Sequence, residues 1–168
     1  MKGDVEMTEN LVQEITEEDT QKDKFLTFSL GNEFYGIDIK YVIEIIGIQL
    51  ITEVPQLPEY IKGIINLRGK IIPVIDVRLR FKKSFREYND RTCIIVIEIK
   101  DISVGMIVDA VSEVLSIPEE DILQPPELNG ESNKYIKAIG KINSEIKLIL
   151  DCDKLLSNEE TENLINIQ

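Results

Sequence analysis

Tyr60 to Phe81 reads YIKGIINLRGKIIPVIDVRLRF, and Tyr135 to Leu156 reads YIKAIGKINSEIKLILDCDKLL. The aromatic start, the Ile-Lys step, Ile64 with Ile139, Ile71 with Ile146, and the aspartates Asp76 and Asp151 coincide, and most of the remaining apolar positions stay apolar. A Gly-led segment precedes each copy, Gly36-Ile-Asp-Ile-Lys-Tyr-Val-Ile-Glu-Ile-Ile and Gly105-Met-Ile-Val-Asp-Ala-Val-Ser-Glu-Val-Leu. Self-similarity at this scale means a duplicated structural unit, with function placed where the copies differ or where they meet.

The text around the two copies is written in short strands. Phe25 to Leu30 alternates, Gly31-Asn32 supplies a turn able to take positive φ, and Phe34 to Ile39 resumes the alternation, which is the pattern of a β-hairpin. Tyr41 to Ile46 starts as one helical turn and continues as an extended edge through Ile51, and Val54 to Pro58 is a rigid loop. Two strands flank Arg68-Gly69, and Pro73 places its strand at an edge or a bulge. In the second half Thr92 to Ile99 and Ser103 to Val108 form a hairpin across Lys100-Asp101, and Val111 to Ile117 corresponds to Val42 to Ile48. A loop through Pro125-Pro126 and Asn129-Gly130 precedes paired strands about Asn143-Ser144. Ser157-Asn-Glu-Glu160 has capping-box spacing and predicts a helix over Asn158 to Ile167. Many short strands with glycine and proline turns predict a mainly β protein of small barrels.

With 168 residues, 43% of them hydrophobic, the chain can bury roughly 70% of its unfolded surface, enough for two small cores or one divided core. No stretch reaches the roughly 20 apolar residues of a membrane span, and Met1 to Lys24 lacks the layout of a signal peptide, so the expected location is cytoplasmic. Residues 1 to 24, with eight acids and three lysines, read as an acidic tail. A net charge of −12 opposes nucleic-acid binding, and the basic run Arg78, Arg80, Lys82, Lys83, Arg86, Arg91 reads as a solvated loop and strand face. With no histidine, imidazole bases and the commonest metal ligand are excluded. Cys93 and Cys152 read as small buried hydrophobes, and no cofactor or metal is expected.

The copies diverge at the turn between their paired strands, Asn66-Leu67-Arg68-Gly69 against Lys141-Ile142-Asn143-Ser144. The turn needs only residues that tolerate its dihedrals, so backbone geometry does not call for Arg68. It is either an exposed loop arginine or a binding residue. The plain reading of Glu44 and its counterpart Glu113 is a solvent-facing charge between two buried branched residues, and for Glu113 that reading is kept. Asp76 and Asp151 invite comparison with a carboxylate dyad, but Val77-Arg78 and Cys152-Asp153 follow them where a small residue and a glycine would be required. Strand-end aspartates capping backbone donors is the better reading, so the chain is expected not to be an enzyme.

Tyr-Ile-Lys-Gly-Ile-Ile-Asn-Leu-Arg-Gly-Lys-Ile-Ile-Pro-Val-Ile-Asp-Val at 60 to 77 closely resembles the signature of the CheW family, the bacterial chemotaxis coupling proteins. Leu30 to Ile39, Val42-Ile-Glu-Ile, Val104 to Asp109 and Val111 to Ser116 are similar to that family too, so the resemblance spans about residues 23 to 158. It implies two five-stranded SH3-like barrels packed side by side with a groove between them. The implied organisation is a tail at 1–22, a domain at 23–158 and a C-terminal helix within 153–168. The first barrel falls mostly in 36–88, and the second mostly in 90–152 together with the N-terminal strand.

What the resemblance implies for function is a non-catalytic adaptor of two-component signalling, joining the cytoplasmic tip of a methyl-accepting chemoreceptor to the regulatory domain of the CheA histidine kinase. It would associate with receptor arrays at the inner membrane without inserting into it. On this resemblance Val42, Glu44, Gly63 and Arg68 lie at the receptor contact or support it, with the glutamate and arginine paired, and Val111 and Val114 face the groove from the second copy. A small-ligand module holding a purine nucleotide in the inter-barrel cleft is the alternative. The chain has no Gly-x-Gly-x-x-Gly and no Gly-Lys-Ser/Thr to cradle its phosphates.

Overall fold

A computed structural model describes residues 21–126 and 134–166. Most of the acidic tail and the Asn129-Gly130 turn lie outside them. The chain runs β1 (Lys24–Leu30), β2 (Glu33–Asp38), a 3-10 turn (Ile39–Tyr41), β3 (Val42–Gly47), β4 (Ile61–Leu67), β5 (Lys70–Asp76) and α1 (Val77–Arg80). It continues through β6 (Cys93–Ile99), β7 (Ile102–Val108), β8 (Ala110–Ser116), β9 (Ile122–Leu123), β10 (Ile136–Ile142), β11 (Glu145–Leu150) and α2 (Asn158–Ile165). The strands form two sheets in the orders β3-β6-β7-β5-β4 and β8-β1-β2-β11-β10-β9. These are the two SH3-like barrels, the second with a two-residue extra strand, β9.

The duplication is exact in topology and exchanged in space. Tyr60 and Tyr135 each offer a carbonyl to the strand-end aspartate of their copy, accepting from Asp76 N–H at 2.7 Å and Asp151 N–H at 2.8 Å. Thr52 bridges to Ile64 in one sheet as Leu123 pairs with Ile139 in the other. Each sheet nevertheless takes its central hairpin from the other half of the chain. β6 and β7 lie among β3, β4 and β5, while β1 and β2 lie among β8, β10 and β11. Barrel boundaries that follow chain order therefore need correction: 93–108 pairs with the first-half strands, and β2 joins β1 in the second barrel. Parallel pairing of β5 with β7 and of β11 with β2 closes the exchange.

Both faces of the central strands are used. Ile94, Val96 and Ile107 face Ile65, Ile72 and Val74 inside the first barrel, and Phe25, Ile117, Ala138 and Ile149 fill the second. The opposite faces, Ile95, Ile97, Val104 and Met106 from one sheet and Leu26, Phe28, Leu30 and Ile37 from the other, form the largest cluster, between the barrels. This two-sided burial accounts for the uninterrupted apolar text of 93–97, because a strand covered on both faces has no reason to alternate. The contact between barrels is thus a filled core, not an open groove along its length.

Four local readings change. β5 is an interior strand, yet its pairing to β7 begins only at Val74, so at Pro73 β4 alone lies beside it and the missing N–H falls where the strand has one neighbour. Ile43 and Ile45 are exposed, so Glu44 does not sit between two buried residues. Cys152 is buried, with burial pushing its thiol up to about 12, but Cys93 is only half-buried. The basic run is largely paired: Arg78 with Asp109 at 2.6 Å, Arg80 with Glu160 at 2.9 Å, Lys83 with Glu33 at 2.9 Å and Arg86 with Asp109 at 3.1 Å. Asp76 and Asp151 cap as expected, accepting from Leu79 N–H and Asp153 N–H. Ser157 and Glu160 form the capping box of α2.

Candidate functional site

The β4–β5 hairpin places Arg68 where it can reach across the first barrel. Leu67 pairs with Lys70, so Arg68 and Gly69 alone make the turn, at φ +52° and +85°. Such a type I′ geometry needs positive φ at both positions, which favours asparagine or glycine. Asn143 and Ser144 take the same dihedrals, +50° and +68°, at the equivalent turn. Asn66 steadies the first turn by accepting from Gly69 N–H at 2.8 Å. Arginine at the first turn position costs about 1 kcal/mol or more in backbone strain, so its side chain is what the position keeps it for. The side chain is 72% exposed, and its guanidinium pairs with the carboxylate of Glu44 on β3. β3 and β4 are the two edges of the five-stranded sheet, so this ion pair spans the seam of the barrel.

Beside the pair lies a depression of about 280 Å³, with Ile72, Val96 and Leu67 as its apolar lining and Glu44, Arg68 and Lys70 as its charged residues. Exposed Ile43 also lines it. Lys70 Nζ donates to Ser103 Oγ at 2.9 Å. The second barrel carries different chemistry at the matching positions. Register makes Lys147 the counterpart of Ile72 and Phe34 that of Ser103, because β2 runs beside β11 as β7 runs beside β5. Lys147 is only 4% exposed. Its Nζ lies 4.2 Å from the centre of the Phe34 ring and 3.3 Å from Glu145. A cation held over an aromatic face fills that mouth. Thr27, at the position of Val96, spends its hydroxyl on the backbone of Glu113, donating to the carbonyl at 2.7 Å. The first mouth offers apolar and charged groups to a partner, whereas the second has satisfied its own.

The other residues singled out in the sequence fall into two groups. Gly63 is a close-approach glycine at φ +147°, where an added Cβ would stand 2.1 Å from the Thr52 carbonyl oxygen. It supports the Thr52–Ile64 bridge, which closes the loop after β3 onto β4. Val42 on β3 and Val111 on β8 are half-buried at the margin of the inter-barrel core, and Val114 is exposed on β8. The structure brings Glu44 and Arg68 together; Val111 and Val114 sit on the edge strand of the other sheet. Ile43, Ile45 and the apolar lining of the mouth were missed, since an isoleucine beside a strand glutamate reads as core. Their signal was the edge position of β3, which emerges only from pairing.

A family model for the CheW-like domain matches residues 24–160. The chain is 39% identical over 150 residues to the chemotaxis protein CheW of Klebsiella aerogenes, covering 89% of this chain and 90% of that protein. It is 34% identical to the chemotaxis protein CheW of Treponema pallidum, covering 86% and 88%. The crystal structure of the scaffolding protein TtCheW from Thermoanaerobacter tengcongensis superimposes with a TM-score of 0.77 at 40% identity, over 82% of this chain and 96% of that one. With two exchanged barrels and matches across nearly the whole described length, the chain belongs to the CheW-like domain family.

Proposed function

We propose that this protein is a chemotaxis scaffold whose first barrel receives the cytoplasmic tip of a chemoreceptor, with the regulatory domain of the CheA histidine kinase bound elsewhere on the surface. The observation that carries the reading is the strained, exposed arginine at 68, paired with Glu44 beside a depression with apolar lining, where the matching positions of the second barrel hold buried Lys147 over Phe34. A receptor tip is a helical hairpin, and an apolar helix face supplies anchors for Ile43 and the lining of the mouth, while the ion pair orients it. Val42 and Gly63 hold β3 and β4 in place, and Val111 and Val114 extend the contact towards the second barrel. The work in this reading is binding through surface complementarity to two protein partners. No described helix is long and apolar enough to cross a membrane, so recruitment to receptor arrays at the membrane would come through the receptor.

Co-sedimentation with a receptor-tip fragment, with and without the kinase, tests this. Arg68→Ala is expected to lose receptor binding by about tenfold or more, since a central interface residue contributes about 2 kcal/mol, while kinase binding persists. Unchanged receptor binding would move the site away from the first barrel.

A further inference from the structure

A second concavity lies at the opposite kind of surface, polar and locally basic. The segment between Phe81 and Thr92 packs beside the β1–β2 hairpin through Lys83 on Glu33, and against the β7–β8 junction through Arg86 on Asp109. It leaves a depression of about 260 Å³ lined by Ser29, Asn32, Arg86, Asn89, Arg91 and Asp109.

The hydrogen bonds there leave donors in excess. Asp109 accepts from Gly31 N–H at 2.7 Å, from Arg78 Nε at 2.8 Å and NH2 at 2.6 Å, and from Arg86 NH1 at 3.1 Å. Oδ2 takes three of these bonds and Oδ1 one, and the bidentate bond commits Arg78 to the carboxylate. Arg86 gives Asp109 one nitrogen and is 55% exposed, so its other nitrogens remain available. Arg91 forms no ion pair among the described residues; its backbone N–H donates to Asn89 Oδ1 at 2.8 Å. That bond occupies the Asn89 carbonyl and leaves its amino group as a further donor. Two arginines and one aspartate line the depression, an excess of one positive charge, and Arg78 behind the lining already meets the charge of Asp109, in a chain of net charge −12. The acidic neighbours in sequence, Glu87 and Asp90, do not line the depression.

We propose that this depression is an oxyanion-binding site, taking a phosphate or carboxylate group between Arg86 and Arg91 with the Asn89 amide beside them. The fork of a guanidinium matches two oxygens of either group, and its weak hydration makes the exchange of water for oxyanion cheap. The group comes either from a free anion or from an acidic site on a protein partner.

The test titrates the isotope-labelled full chain with inorganic phosphate, with sodium chloride at matched ionic strength as the control. Saturable amide shifts at Asn32, Asn89 and Arg91 are expected with phosphate and not with chloride. Arg86→Gln with Arg91→Gln should weaken the affinity roughly fivefold or more, while Arg68→Ala leaves it unchanged. The Arg78–Asp109 pair survives in that variant; should it melt early, Arg91→Gln alone carries the comparison. Displacement of the kinase or receptor fragment by phosphate assigns the group to that partner, and retention of both assigns it to a free anion. Shifts that fail to saturate, an equal response to chloride, or full affinity in the arginine variants would overturn the site.

Discussion

Arg80 and Glu160 are joined by two hydrogen bonds, of 2.9 and 3.3 Å, which tie the C-terminal helix to the end of the first copy. The guanidinium lies 4.1 Å from the centre of the Tyr60 ring and 5.3 Å from that of Tyr135, so one cation contacts the opening tyrosine of both copies. Leu155 holds the matching position in the second copy and is buried in the inter-barrel core. A half-built symmetry is thus completed by a charge that Glu160 of α2 neutralises.

Glu160→Gln should expose that dependence. The side chains of Arg80 and Glu160 are 13% and 21% exposed, and a poorly solvated cation left without its counter-charge costs about 2 kcal/mol or more. Glutamine can still serve the capping box with Ser157, so the helix keeps its N-terminus. A melting temperature lower by roughly 5 °C is expected in thermal unfolding followed by circular dichroism. An unchanged melt would mean that buried Thr161 and Leu164 hold the helix unaided.

Arg68→Asn puts into the first turn the residue found at 143. Relief of positive-φ strain should offset the loss of an exposed ion pair, which contributes only about 0 to 1 kcal/mol. The variant should melt within about 2 °C of the parent, or higher, while losing receptor co-sedimentation. A fall of more than about 5 °C would make Arg68 a structural residue.

Gly63→Ala should behave in the opposite way. Its Cβ would sit 2.1 Å from the Thr52 carbonyl oxygen, which is backbone and cannot rotate aside. Loss of the Thr52–Ile64 bridge with added strain is expected to cost about 2 kcal/mol or more and to lower the melt by roughly 5 °C or more. Amide exchange at Ile64 should accelerate in step. A variant that melts like the parent would show that the loop after β3 moves freely.

Acid sensitivity should trace in part to Asp109. Burial opposes its ionisation, but hydrogen bonds from Arg78, Gly31 N–H and Arg86 outweigh this and hold the carboxyl below its ordinary value. Lys83, then Tyr35, do the same for Glu33. A folded pKa below the unfolded value, about 4 for either acid, means stability that is present above that value and lost as pH falls through the folded pKa. The melting temperature should therefore decline below about pH 4, and decline less steeply in Asp109→Asn. Parallel curves for parent and variant would remove Asp109 from the acid response.

Much of this molecule was legible from residues alone. The duplication is visible in the text itself, and the four hairpin turns, the aspartate caps and the capping box at Ser157 are local: each of these depends on side chains within a few positions, and each appears where the text places it. Arg68 stood out because its counterpart Asn143 shows what the turn itself requires. The exchange of hairpins between barrels was not legible, because β1–β2 and β6–β7 are both antiparallel hairpins with central strands buried on both faces, and nothing within either hairpin names the sheet it joins. Only packing decides which sheet each one enters. Pairing likewise decided that β3 is an edge whose Ile43 and Ile45 face outward, and that the basic run is folded back onto Asp109, Glu160 and Glu33. The chain fixes which groups exist and how neighbours turn; distance between residues far apart in sequence is set by the sheets, and there the ion pairs, the open mouth of one barrel and the filled mouth of the other were determined.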